Sequence, residues 1–132
     1  MRMLLLGLVP ALAVACSNEV GGDLTVNGAP FAPTGCRNGV VHGFRGVALS
    51  GKDGSNLRIA ASMTGEAIVA ILPGGARAEA QAGLELGKCG LLTIGDQSST
   101  INDVRNVEGK ADLDCSAKGY TLKGTVTFAN CH

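Results

Sequence analysis

Tryptophan is absent from this 132-residue chain, and aromatic residues of any kind are scarce: Phe31, Phe44, Tyr120 and Phe128. Sugar-binding and single-strand-binding surfaces stack their ligands on aromatic rings, so this shortage argues against both. No run of like charge exists. Eleven basic residues balance eleven acidic ones along the chain, whereas nucleic-acid binding needs a basic stripe. No nucleic-acid partner is therefore expected. The chain also lacks G-x-S-x-G, H-E-x-x-H and a P-loop. Histidines number two, His42 and His132, so the serines have no recognisable base near them in sequence. No catalytic residue is assigned and a non-enzymatic protein is expected.

Long apolar runs are missing too, apart from one short stretch at the start. Met3 to Ala15 is apolar, is interrupted by Pro10, and follows a single positive charge at Arg2. A spanning helix needs about 20 apolar residues. Residues 1–15 therefore read as an export signal, closed by the small residues Ala13 and Ala15. The next residue is Cys16.

At this point the chain resembles bacterial lipoproteins, whose signal ends in a leucine-like residue, two small residues and a cysteine that receives diacylglycerol. The tetrad here is Ala13-Val14-Ala15-Cys16, with Leu12 one place early. Ala-Val-Ala is also an ordinary signal-peptidase site, which would leave Cys16 unmodified. Parity favours lipidation. The cysteines are Cys16, Cys36, Cys89, Cys115 and Cys131, and lipidating the first leaves four for two disulfides. Two acyl chains suffice for stable anchoring. The resemblance implies a covalent palmitate-type lipid on Cys16, no other cofactor, and attachment to the membrane of the cell envelope. It also implies the outer membrane or cell surface, because Ser17 rather than Asp follows the cysteine.

Beyond the leader, residues 16–22 read as the lipidated N-terminus and a short polar tether. Residues 23–132 read as one domain. Asn27-Gly28 between apolar runs is a strong hairpin signal, and Pro30 and Pro33 restrict the returning strand to an edge. Val40 to Leu49 is rich in β-formers, with Gly43 and Gly46 as candidate bulges. Gly51 to Gly54 is a turn. Leu57, Ile59 and Ala61 alternate with Arg58, Ala60 and Ser62 as in a half-buried strand. Ala67 to Leu72 is continuously apolar, as in a strand buried on both faces. Residues 76–86 keep an apolar–polar alternation that favours a strand, although their Ala and Glu content favours a helix. Leu91 to Ile94 reads as a short strand and Gly95 to Thr100 as a polar loop.

The last third is the clearest. Alternation from Val107 to Cys115 and from Tyr120 to Phe128, around Lys118-Gly119, predicts a long hairpin with one buried face. The whole predicts a small all-β, antiparallel, disulfide-stapled β-sandwich of about eight short strands. The hairpin separates Cys115 from Cys131 by about 30 Å along the strand, too far for a bridge. Cys36–Cys131 with Cys89–Cys115 is the preferred pairing; Cys36–Cys115 with Cys89–Cys131 stays open.

Several candidate sites are weak. Cysteine spacings of 53, 26 and 16 do not suit a zinc knuckle, and no metal site is expected. Asp53-Gly54-Ser55-Asn56 has the opening residues of a calcium loop but no correctly placed closing Glu; a turn is expected. Asp112 and Asp114 share a strand face and could in principle pair for acid–base work; a solvated face is expected. His42 reads as a partly exposed strand residue and His132 as a mobile terminus.

The layout also resembles the small mycobacterial surface lipoprotein antigens of the LpqH type. The shared features are the strand running into Asn27-Gly28, the cysteine Cys36, the strand Asn56 to Ala60, the segment from Gly119 to Thr125, and the terminal Cys131. The family lacks obvious counterparts of Cys89 and Cys115 and has a long Thr/Ser-rich tether. This resemblance implies a surface-exposed, non-enzymatic lipoprotein. The expected function is thus a membrane-anchored, non-enzymatic surface or periplasmic interaction module, whose possible protein partner the sequence does not identify. The alternatives are a carrier of a small apolar ligand held between sheets and an inhibitor of an exported enzyme.

Overall fold

The computed structural model describes residues 18–41, 43–74, 83–101 and 104–132. Cys16, the leader, His42 and residues 75–82 lie outside these, so the readings of them above have no structural counterpart. Ten strands are present among the described residues. They are β1 (Glu19–Gly22), β2 (Thr25–Val26), β3 (Ala29–Pro30), β4 (Pro33–Val41) and β5 (Phe44–Gly51), then β6 (Asn56–Ala61), β7 (Glu66–Leu72), β8 (Leu84–Ile101), β9 (Val104–Ala117) and β10 (Tyr120–Cys131).

The strands form one antiparallel sheet in the order β3-β2-β10-β9-β8-β7-β6-β5-β4, with β1 also pairing β10. The sheet curls into a half-barrel. All-β, antiparallel and disulfide-stapled architecture is therefore present, but the expected two-sheet sandwich of about eight strands is replaced by a single curled sheet. The physical reason lies in the inner face. Alternate residues of neighbouring strands meet in rows across it: Leu49, Leu57 and Ile71 form one, and Val47, Ile59 and Val69 another. On the other side of the curl, Val126 faces Ala111 and Ala111 faces Leu92. All of these are buried. Small residues such as Ala67, Ala111 and Gly109 let the sheet close on its own inner face. Register shifts in β4–β5, β7–β8, β8–β9 and β9–β10 add local bends.

Two turns fix most of the register. Asn27 and Gly28 have φ of 51° and 79°, and Lys118 and Gly119 have 51° and 81°. Positive φ at both central residues is the tight-turn geometry whose twist matches paired strands. Lys118-Gly119 sets Tyr120 opposite Ala117 and Leu122 opposite Cys115, as the alternation predicts. β7 buries residues on both faces, with Ala67, Val69 and Ile71 inside and Ala70 and Leu72 on the other side.

Three local readings are corrected. The β-rich stretch from Val40 to Leu49 is two strands, because β4 and β5 fold back on each other with Val41 opposite Phe44. Gly43 therefore sits in the turn. Residues 95–100 are not a loop but the end of β8, since Gly95 and Asp96 continue the ladder to Glu108 and Val107. Their polarity is tolerated on an exposed extension, where Asp96 pairs with Arg45. Within 76–86, the described residues 84–86 are strand, as the alternation favours, and open β8. Finally, Glu19–Gly22 is not tether but strand: Glu19 faces Ala129 and Gly22 faces Val126. Pairing with β10 supplies the backbone bonds that a segment with two glycines does not advertise.

β4 ends the sheet on one side, and no ladder joins it to β1 or β10. Side chains and one bridge close that seam. Cys36 of β4 is disulfide-bonded to Cys131 of β10, with Cα atoms 5.1 Å apart. The Asn18 carboxamide spans the gap: its Oδ1 accepts from the Cys36 amide at 3.4 Å and its Nδ2 donates to the Asn130 carbonyl at 2.8 Å. The Asn38 amide donates to the His132 carbonyl at 3.1 Å. His132 is thus built into the seam, contrary to the expectation of a mobile terminus, because its carbonyl satisfies an edge donor of β4. The second bridge, Cys89–Cys115, joins the adjacent strands β8 and β9. These are the preferred two pairings.

Candidate functional site

One end of the half-barrel is built from turns. The β2–β3 turn, the segment leading into β4, the β5–β6 turn, the end of β7 and the start of β10 surround an open cleft of about 560 Å³. That lies within the usual range of small-ligand sites. Val26, Pro30, Phe31, Ile71, Pro73 and Tyr120 supply apolar walls; Asn27, Lys52, Asp53 and Ser55 supply the polar groups. Two of the chain's four aromatic residues meet here.

Short backbone bonds hold the cleft together. The Phe31 amide donates to the Leu24 carbonyl at 2.9 Å, and the Lys52 amide to the Ala32 carbonyl at 2.7 Å. The second bond ties the β5–β6 turn to the segment before β4. Asn27 is fixed to β10 from both sides, its amide donating to the Thr121 carbonyl and its Oδ1 accepting from the Thr121 amide, both at 2.8 Å. Gly51 leaves room where Ser55, Asp53 and the Phe31 ring converge; a Cβ there would collide with Ser55 Oγ.

Asp53 is the polar centre of the turn. Its Oδ1 accepts from Ser55 Oγ at 2.5 Å and from the Ser55 amide at 2.9 Å. The hydroxyl bond first, and the amide bond second, hold the Asp53 carboxyl below its ordinary value. The segment 53–56 is a turn, as expected, in which the carboxylate is used internally. A carboxylate held low is a weak general base at neutral pH, and no His or Cys stands among the residues lining the cleft.

The other sequence-level candidates lie apart from it. Asp112 and Asp114 are exposed on the outer face of β9. Asp112 accepts from Thr125 Oγ1 at 2.6 Å and lies 3.8 Å from Lys110 Nζ, which is surface pairing worth little. Cys36, Cys131, Cys89 and Cys115 serve as bridges. No group of three or more metal-ligating side chains occurs among the described residues. The cleft itself was missed in the sequence. The one signal pointing to it is that two of the chain's rare aromatics lie close to turn glycines, Tyr120 directly after Gly119 and Phe31 three residues after Gly28. Comparison of the chain with protein-family models, with curated proteins and with solved structures finds no match.

Proposed function

We propose that the chain is a lipid-anchored protein of the bacterial cell envelope whose folded domain is a non-enzymatic binding module. The observation that carries this reading is the cysteine pairing. Cys36 with Cys131 and Cys89 with Cys115 use up the four cysteines of the domain. Cys16, at the close of the export signal, is the one left over. Disulfides persist in oxidising compartments outside the cytoplasm, and a lipidated cysteine is the arrangement that leaves no spare thiol there. The resemblance to LpqH-type surface antigens points the same way.

The cleft is the proposed binding site, and it favours a particular form of the ligand-carrier alternative. Its walls are apolar and its polar groups stand in one turn, which suits a compact apolar molecule or side chain with a single polar end. Such a ligand would enter at the end of the half-barrel rather than lie between two sheets.

Two measurements test the proposal. Intact mass of the membrane fraction under non-reducing conditions should show diacylglycerol or a triacyl group on Cys16 and the loss of four hydrogens for two bridges. A mature protein beginning at an unmodified Cys16 would defeat the anchor. For the cleft, anilinonaphthalene sulfonate should bind the folded protein with enhanced fluorescence, and Phe31→Ala should weaken that binding. Unchanged dye affinity in that variant would remove the cleft from the proposal.

A further inference from the structure

We infer that the cleft takes its ligand by an anionic end, a carboxylate on a compact apolar body, and that Lys52 reads the charge. The inference rests on the cleft being a binding site, as proposed above, and names the chemistry of its ligand.

Apolar walls supply burial but little orientation, which comes from the few polar groups of a site. Several of those groups are already spent. Asn27 Oδ1 accepts from the Thr121 amide, so its carboxamide keeps only the Nδ2 donors. Asp53 Oδ1 takes two bonds, from the Ser55 hydroxyl at 2.5 Å and the Ser55 amide at 2.9 Å. The Ser55 hydroxyl thus gives its one proton within the turn. The exit of β7 also crowds the Asp53 carboxyl: a Cβ built on Gly74 would stand 3.0 Å from Asp53 Cγ. The acceptors of the cleft are therefore mostly used or covered.

The donors are not. Among the described residues, Lys52 Nζ, Asn27 Nδ2 and the Tyr120 hydroxyl have no hydrogen-bond or ion-pair partner. They come from the β5–β6 turn, the β2–β3 turn and the start of β10, and all three residues line the cleft. Two are held at their backbones, Lys52 by the bond from its amide to the Ala32 carbonyl and Asn27 by its bonds to Thr121. Lys52 is the one cation among the described lining residues. A carboxylate offers acceptors only and the opposite charge, so it complements such a set. An ammonium would set donors against donors, and an alcohol brings no charge. Lys52 and Asp53 balance in formal charge, so the inventory of unspent donors, rather than net charge, selects the anion.

The test uses the full chain, isotope-labelled, in lipid nanodiscs, with empty discs to correct for partitioning. Phenylbutyrate, phenylbutanol and phenylbutylamine share one apolar body and differ in the polar end. Phenylbutyrate should shift the amide signals of Asn27, Lys52 and Tyr120 saturably and bind about fivefold more tightly than the alcohol, the upper worth of an exposed charge pair. Lys52→Gln should bring the acid down to the alcohol's affinity and leave the alcohol unchanged, and Lys52→Arg should keep the preference. Equal binding of acid and alcohol, or tighter binding of the amine, overturns the anionic ligand while leaving the cleft as a binding site. Equal weakening of acid and alcohol by Lys52→Gln overturns the role of its charge. If none of the three compounds shifts these amides, the binding-site reading itself fails, and the inference with it.

Discussion

The two ends of the half-barrel are closed by different means. At the cleft end, the β2–β3, β5–β6 and β9–β10 turns connect strands already neighbours in the sheet, the 31–32 segment crosses from β3 to β4, and short backbone bonds share the task. Its disulfide, Cys89–Cys115, joins β8 to β9, which pair along most of their length in any case. At the seam end, β4 meets β10 with no ladder between them. One disulfide, one carboxamide and one backbone bond from Asn38 to His132 hold the edges together. Where strands pair, a bridge reinforces; where they do not, it substitutes for the missing pairing. Loss of a single bond should therefore matter more at the seam.

Removing both sulfurs of the seam bridge is the strongest way to break this contrast. Replacing Cys36 and Cys131 with Ala opens a crosslink spanning 95 residues, and the chain-entropy relation puts the loss at about 5 kcal/mol. For a domain of this size that removes much of the net stability, and urea denaturation should show a large drop in midpoint. The Cys89→Ala, Cys115→Ala pair comes next. Its crosslink spans 26 residues, and the same relation gives about 3.5 kcal/mol. The β8–β9 ladder stays in register without it, so the variant should keep a native-like amide spectrum. Equal losses, or a larger loss from the second pair, would contradict the distinction drawn between the two ends.

That distinction could be read only partly from the sequence. The register of the β9–β10 hairpin was legible, because its alternation is long and Lys118-Gly119 sets a tight turn, but not its full length, since β9 begins at Val104 and β10 runs past a bulge to Cys131. The double burial of β7 was legible from its unbroken apolar run. The seam was not. Glu19 to Gly22 has no alternation and two glycines, and becomes a strand only because the far end of β10 offers it a partner. Gly95 to Thr100 looks like a loop because its side chains are polar, yet Gly95, Asp96 and Thr100 need only backbone pairing with β9 to be strand. A single curled sheet and a two-sheet sandwich share the same local pattern of strands and turns. Which edges meet depends on contacts between residues such as Asn18 and Asn130, far apart in the chain. The cleft has the same origin, being assembled from five segments far apart in the chain.

Asn18 gives a finer test of the seam. Asn18→Ala removes two hydrogen bonds from a solvent-exposed side chain, and a loss of about 1 kcal/mol is expected. The informative readout is local. Amide exchange at Cys36 should accelerate, while exchange at Leu113, in the middle of the β9 ladder, should follow only the change in global stability. Uniform acceleration across both would mean that Asn18 does not hold the seam in particular.

The smallest effect is expected at the cleft end, from Ser55→Ala. In the folded protein the Ser55 hydroxyl and amide favour ionised Asp53, so its pKa lies below the ordinary 3.8. A lowered carboxyl pKa stabilises the fold above the unfolded value, and that contribution is lost as pH falls through the folded value. Removing the hydroxyl should raise the Asp53 pKa towards its ordinary value, but not all the way, because the Ser55 amide still donates to it. A carbon-detected NMR titration of the Asp53 carboxyl measures the shift directly. The electrostatic part of the destabilisation should be present at neutral pH and fade as pH falls through the folded Asp53 pKa, below which Asp53 is protonated in both states. Because Asp53 is exposed, solvent screening keeps this part small. A pH-independent loss would show that Ser55 acts through packing under Gly51 and Phe31 rather than through the carboxylate. The cleft end would then be held by the same kind of close steric fit as the core.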